Sequence, residues 1–230
     1  MNLFTYTALF SPVLIAIIIV KSLRLNNKRN ISLLLTFSGA YLLSITCLHL
    51  IPELFEHHPK HNIGMFILLG FVIQIILEYF SEGVEHGHAQ NNKTLSISMI
   101  VSLCIHALLE GIPLGGHLSL ETNQSLLLGI IVHKIPVSIV LLTVFLQNRM
   151  KIRKIYLLLI IFGAMTPIGA YAAETFQILA DLHNEIIAIV IGVFLYISTT
   201  ILFESYDNHK MVSAKILFII IAIGLATIHV

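Results

Sequence analysis

The sequence predicts an all-α integral membrane protein with eight transmembrane helices. Three observations support this fold class: 57% of the 230 residues are hydrophobic, only 11% are charged, and eight apolar runs follow one another along the chain. The mean hydropathy is +0.93, and a soluble domain usually carries about 25% charged residues. Residues 1–230 are therefore expected to form a single transmembrane domain in contact with the lipid bilayer, with no nucleic-acid partner.

Each of the eight runs is long enough to cross a bilayer, which takes about 20 apolar residues in a helix. The runs must be helical because hydrocarbon offers the backbone no hydrogen-bond partners. We number them spans 1 to 8, and they cover residues 5–23, 31–54, 62–80, 95–119, 123–146, 153–173, 184–203 and 213–230. Span 1 lacks a basic segment before it and a small-residue cleavage site, which indicates a retained helix and not a signal peptide.

The basic residues predict that both termini lie outside the cytoplasm. Lys and Arg in short loops favour the cytoplasmic side, and eleven of the thirteen lie on the side reached after spans 1, 3, 5 and 7. These are Lys21, Arg24, Lys28, Arg29, Lys93, Arg149, Lys151, Arg153, Lys154, Lys210 and Lys215. Lys60 lies on the opposite side, and Lys134 lies at the centre of span 5.

Glu110 is the only carboxylate placed deep within a span, since the other acidic residues lie near span ends. A charged group at mid-bilayer costs about 2.5 to 3.5 kcal/mol on insertion scales, so such a residue is by default a functional-site hypothesis. Its partners at the same depth are His106, His133 and Lys134. The two cysteines lie inside apolar spans as small hydrophobic residues, which excludes a disulfide framework and a thiolate zinc site.

The spacing of these groups predicts a metal site between spans 4 and 5. His106 and Glu110 are four residues apart, so they share one helix face with Cβ atoms roughly 5 to 6 Å apart. His133 lies at the same depth in the next, antiparallel span. Two imidazoles and a carboxylate suit a borderline divalent cation such as Zn²⁺. Pro113 and Pro136 each leave a backbone carbonyl unbonded, as is tolerated where a helix lines a polar cavity.

Two structural interpretations of the same residues stay open. A single histidine in an apolar helix is more often an interhelical hydrogen-bond partner than a metal ligand. Glu110 could also neutralise Lys134 as a buried ion pair.

Further candidate ligands lie along the same helix faces or near the ends of spans. Two share the stripe of span 4 that carries His106, two form a second four-residue pair at the outer end of span 2, and two lie in the inner loop before span 4. The outer pair is either a funnel through which cations enter or a solvated helix end. These six residues are His117, Ser102, His49, Glu53, His86 and His88.

Several short motifs, in this order and depth, resemble the ZIP family of divalent metal transporters. They are "SGAYLLSITCLHLIPE" in span 2, "HALLEGIPLG" in span 4, "HKIP" in span 5, "MTPIGA" in span 6 and "IGVFLYIS" in span 7. The resemblance implies a transporter and not an enzyme, moving Zn²⁺, or else Fe²⁺, Mn²⁺ or Cd²⁺, toward the cytoplasm without an organic cofactor. A homodimer and a location in the plasma (inner) membrane are also expected from it.

Carried over residue by residue, the resemblance implies a primary metal site at His106, Glu110 and His133. The chain departs from the family at Val137, where members commonly place Glu or His. Water or a hydroxyl is therefore expected to complete the site, with Ser138 and Ser44 as the candidates.

The second metal that many members hold beside the first is not expected in this chain. The three positions that would bind it are Ala107, Lys134 and Thr166, none of which is a good ligand for a divalent cation. Lys134 is instead expected to act as a stand-in cation, which keeps Glu110 charged and weakens binding of the incoming ion.

Two other classes of protein could use the same residues. An intramembrane zinc hydrolase would need a third firm protein ligand and a separate general base, and no spare deep carboxylate exists. A b-haem protein would use His106 and His133 as axial ligands but has no need of Glu110.

Overall fold

The computed structural model describes residues 2–23, 28–57, 62–81, 83–84, 96–116, 118–204 and 209–228. These residues form helices joined by short connections, which confirms the predicted all-α class. The elements in chain order are α1 (Leu3–Leu23), α2 (Lys28–Ile45), a π-helical segment (Thr46–Leu50), α3 (Ile51–His57), α4 (Ile63–Ser81), α5 (Ile97–Gly111), a 3₁₀ turn (Ile112–Gly115), α6 (Leu120–Gln147), α7 (Ile152–Thr175), α8 (Gln177–Asp181), α9 (His183–Glu204) and α10 (His209–Thr227).

Within the described residues, seven helical stretches are long and apolar enough to cross a membrane. They are Leu3–Ser22, Arg29–Glu56, Ile63–Ser81, Ile97–Gly115, Leu120–Gln147, Ile152–Thr175 and His183–Phe203, and they coincide with spans 1 to 7. The apolar part of α10, Val212–Thr227, is shorter. At 1.5 Å per residue it extends roughly 24 Å, against about 30 Å for the hydrocarbon core. The eighth crossing and the outward orientation of both termini stay predictions.

Span 2 is interrupted by a π-helical turn between α2 and α3. The turn covers Thr46–Leu50, and Pro52 follows it directly. A proline cannot donate a hydrogen bond to the carbonyl four residues earlier, here Leu48, and its ring clashes with that carbonyl. The wider π turn relieves the clash, and such turns are frequent at functional sites. The sequence predicts one continuous helix here, because the hydrophobic pattern of the span does not reveal the extra residue that a π turn adds.

Helices α4 and α9 pack with their backbones in contact. A Cβ added to Gly70 of α4 would overlap the carbonyl oxygen of Ile189, and one added to Gly192 of α9 would overlap that of Ile67. Small residues at such positions allow membrane helices to approach closely, where dispersion forces replace the hydrophobic effect that lipid cannot supply. The two glycines therefore allow the backbones of α4 and α9 to pack in direct contact.

Helices α5 and α7 are held together in the same way. A Cβ on Gly111 of α5 would overlap the carbonyl oxygen of Thr166, and one on Gly169 of α7 would overlap that of Leu108. Helix α5 also packs on α4, while α6 packs on α1 and α2. The side chains that α5 and α6 direct toward one another therefore meet in the protein interior and not at the lipid surface.

Candidate metal centre

His106, Glu110 and His133 bring their ligand atoms together at one point between α5 and α6. The atoms all lie within 4.8 Å of one another, and no other group of three His, Cys, Asp or Glu residues does so in the part of the chain that the structure describes. Their relative exposures are 2%, 2% and 1%. The cluster is thus closed to lipid, as an ionic group inside a membrane must be.

Helix α5 supplies two of the three side chains from adjacent turns. The helix begins at the N-cap Ser96, whose Oγ accepts from the Met99 N–H at 3.1 Å. One turn separates His106 from Glu110, and the distance from Nε2 to Oε1 is 2.9 Å. The α-helix ends at Gly111, next to the carboxylate. The negative end of the helix dipole therefore adds to the attraction for a cation.

Helix α6 supplies the third side chain, three residues before Pro136. The Nε2 atom of His133 lies 3.8 Å from Glu110 Oε1, and the two imidazole centroids are 6.1 Å apart at an interplanar angle of 81°. Ligands held 2.0 to 2.2 Å from one tetrahedral Zn²⁺ lie roughly 3.4 Å from each other. The observed separations of 2.9 and 3.8 Å bracket that value.

Gln74 of α4 contacts the site from outside the predicted ligand set. Its side chain has 0% relative exposure, and its Oε1 lies 3.2 Å from Nδ1 of His106. Gln74 is not among the site residues predicted from the sequence. The sequence does contain a signal for Gln74, which is the single amide in the largely apolar segment "FVIQIILEY" of span 3. A polar group buried among apolar residues needs a hydrogen-bond partner.

Lys134 points away from the two histidines, toward α7. Its ammonium donates to the Thr166 hydroxyl, which donates in turn to the Ala107 carbonyl at 2.7 Å. The same nitrogen lies 4.9 Å from the centroid of the Phe162 ring. The ion pairs of Glu110 in the described residues are with the two histidines, and none joins it directly to Lys134.

Of the hydroxyls considered as further ligands, two are bonded to helix carbonyls. Ser44 Oγ donates to Ala40 O at 2.8 Å, and Ser102 Oγ donates to Leu77 O of α4. Ser138 differs, because its Oγ is buried and has no hydrogen-bond partner among the residues that the structure describes. Its hydroxyl can therefore turn toward an ion without breaking a hydrogen bond, as a candidate ligand should.

His49 and Glu53, the predicted pair at the outer end of span 2, contact different partners. His49 lies in the π turn, is buried, and has its Nε2 3.4 Å from the Ala226 carbonyl of α10. Glu53 accepts from the backbone N–H of Ser119 at 2.6 Å and from its hydroxyl at 2.8 Å. Ser119 is the N-cap of α6, so Glu53 lies at the positive end of that helix and not against His49.

Three predicted ligands, His117, His86 and His88, lie outside the described residues. Elsewhere, the ring of His183 covers the backbone of Gly116, where an added Cβ would overlap it. His183 is not among the predicted ligands, because in the sequence it is an ordinary polar residue at the start of α9.

Comparison with known proteins gives one family match. The family model described as ZIP Zinc transporter matches residues 81–230, which is 150 of the 230 residues. The matched region contains all three residues of the cluster, together with Lys134 and Thr166. No curated protein that was compared with the chain is similar enough to count as a match.

Proposed function

The chain belongs to the ZIP zinc transporter family, and from this premise we propose that it moves Zn²⁺ toward the cytoplasm through a single-metal site. The family implies transport of divalent metal ions by a multi-pass membrane protein, and its members are transporters rather than enzymes. The proposed ligands are His106, Glu110 and His133. The observation that carries the proposal is the convergence of these three buried side chains from two helices.

The donor set supports Zn²⁺ as the preferred cargo. Imidazole and carboxylate ligands suit Zn²⁺, whereas Mg²⁺ and Ca²⁺ prefer all-oxygen sites. Fe²⁺, Mn²⁺ and Cd²⁺ are the expected competitors, since selectivity among such ions depends on geometry more than on ligand type.

Three protein ligands without a thiolate also favour transport over permanent binding. A conducted ion must bind strongly enough to enter and weakly enough to leave. Val137 adds no fourth ligand, so water or the Ser138 hydroxyl completes the coordination shell. An incomplete protein shell lowers the affinity and eases release.

Uptake into proteoliposomes tests the proposal directly. Purified protein is reconstituted, and uptake of Zn²⁺, Fe²⁺, Mn²⁺, Cd²⁺, Mg²⁺ and Ca²⁺ is measured one ion at a time. We expect Zn²⁺ to give the highest ratio of Vmax to KM, with no uptake of Mg²⁺ or Ca²⁺. A stoichiometric metal that survives chelators and does not exchange would contradict the proposal.

The remaining features of the proposal depend on charge and family resemblance. The asymmetry of the basic residues supports termini outside the cytoplasm, with α10 as an eighth crossing. A homodimer in the plasma (inner) membrane rests on the resemblance alone. Accessibility of single cysteines placed at residues 2 and 228 to an impermeant reagent, in intact cells, tests the orientation.

A further inference from the structure

The side chain of Gln74 turns inward from a helix whose neighbouring residues face the membrane. Val72, Ile75 and Ile76 are exposed on α4, as lipid contact requires, whereas Gln74 is fully buried. An amide moved from water into an apolar interior costs several kcal/mol unless it forms hydrogen bonds. The contact with His106 of α5 supplies one such hydrogen bond.

That contact determines which ring nitrogen of His106 can hold a metal ion. A neutral imidazole carries hydrogen on one nitrogen and a lone pair on the other. The atom of Gln74 at 3.2 Å is the carbonyl oxygen Oε1, which can only accept, so Nδ1 keeps its hydrogen and donates it. Nε2 lies 2.9 Å from Glu110 Oε1, a separation at which a hydrogen or a cation must lie between the two atoms. A metal ion that replaces this hydrogen meets the Nε2 lone pair, while Nδ1 keeps its hydrogen on Gln74.

The acceptor is also held firmly in place. Gln74 follows Gly70 by one helical turn, and Gly70 is packed against the backbone of α9. On the other side of the contact, Gly111 packs α5 against the backbone of α7. The hydrogen bond therefore joins α4 to α5, and the backbone of each of these helices is packed directly against that of another helix. A site built on rigid elements fixes the orientation of its ligands more closely than one built on loops.

We propose that Gln74 is a positioning residue for the metal site, whose Oε1 holds His106 with Nε2 directed at the ion. The inference rests on the proposed transport function of the His106, Glu110 and His133 cluster. Histidines that bind metals usually donate their other N–H to an acceptor, and loss of that acceptor typically costs about 10- to 100-fold in affinity or activity. A neutral amide polarises the imidazole less than a carboxylate does, which suits an ion that must be released.

Two substitutions of similar length separate this role from simple helix packing. Gln74→Met keeps the volume and removes the acceptor, and Gln74→Glu keeps the acceptor and adds charge. Zn²⁺ uptake is measured against concentration in proteoliposomes for both variants and for the wild type. Two controls accompany them. One is Ser198→Ala, which removes a buried hydroxyl whose hydrogen bonds to described residues all lie within α9, and the other is His106→Ala.

The positioning role predicts a defined split between KM and Vmax. Gln74→Met should raise KM by roughly 10- to 100-fold, whereas Gln74→Glu should lower KM and reduce Vmax, because a stronger acceptor makes the imidazole a better ligand. Ser198→Ala should match the wild type, and His106→Ala should show no uptake. The Co²⁺ absorption spectrum of the purified protein should change in Gln74→Met and persist in Gln74→Glu.

A purely structural role predicts the opposite order. Gln74→Met would then be harmless in an apolar environment, and Gln74→Glu would damage the protein by placing a charge in the bilayer. That order, or a KM in Gln74→Glu raised tenfold or more, would overturn the inference. If Gln74→Met does not accumulate in membranes, Gln74→Leu takes its place. Unchanged uptake by His106→Ala would instead refute the transport site on which the inference rests.

Discussion

The ammonium of Lys134 in α6 donates a hydrogen bond to the hydroxyl of Thr166 in α7. The Thr166 hydroxyl in turn donates a hydrogen bond to the Ala107 carbonyl of α5. These are the three positions where the family resemblance implies a second metal site in other members. In this chain a lysine and two hydrogen bonds link the same positions, and the hypothesis that follows is that the charge of Lys134 takes the place of a second ion's charge.

Removal of that charge should strengthen metal binding and slow transport. Lys134→Met keeps the length of the stem, and it removes a positive charge that repels the incoming divalent ion. We expect Kd for Zn²⁺ to fall by about tenfold, roughly 1.4 kcal/mol, together with a lower Vmax. Calorimetry on purified protein and proteoliposome uptake measure the two effects.

The matched control for Lys134→Met is Lys215→Met, which removes a second buried lysine, from α10. That control should leave both the affinity and the rate as in the wild type. Unchanged values in Lys134→Met as well would show that the ammonium does not act on the site.

Truncation of the proposed ligands should abolish uptake without harming insertion. Glu110→Ala removes a deep carboxylate whose insertion costs about 2.5 to 3.5 kcal/mol, so the variant should reach the membrane at least as well as the wild type. His106→Ala should behave similarly. Western analysis of the membrane fraction, with uptake measured in parallel, checks both expectations. Retained uptake in both variants would mean that the ion takes another route.

A fourth protein ligand should convert the site from transport toward trapping. Val137 is buried one turn after His133 on α6, and Val137→His places an imidazole on nearly the same helix face. We expect Kd for Zn²⁺ to fall by about tenfold or more while Vmax decreases, because release becomes limiting. Ile139→His, on the opposite side of α6, is the control and should not tighten binding. Equal affinity in both variants would speak against the predicted coordination.

The backbone contact between α4 and α9 should be intolerant of a single methyl group. A Cβ in Gly192→Ala would overlap the Ile67 carbonyl, whereas one in Gly64→Ala meets nothing within 4 Å. Overpacking of this kind costs about 1 to 3 kcal/mol. The melting temperature in detergent should therefore fall for Gly192→Ala and stay unchanged for Gly64→Ala. Equal melting temperatures would show that the helices can move apart at little cost.

The sequence by itself determined the helical class, seven of the spans and the pairing of His106 with Glu110. Hydrocarbon leaves the backbone no structure but a helix, so long apolar runs predict spans directly. Helical periodicity alone then places residues 106 and 110 on one face. His133 could be added from its depth, because consecutive spans run antiparallel through the same bilayer.

Only the tertiary structure decided what lies around these residues. Gln74 and His106 are 32 residues apart in the chain, so the contact between them appears only when α4 packs on α5. The direction of Lys134 depends on a rotamer and on the presence of Thr166 in a distant helix. His49 and Glu53 have different partners, because α10 brings Ala226 to the first residue and α6 brings Ser119 to the second. In each case the deciding contact joins residues far apart in the chain, and local periodicity carries no information about it.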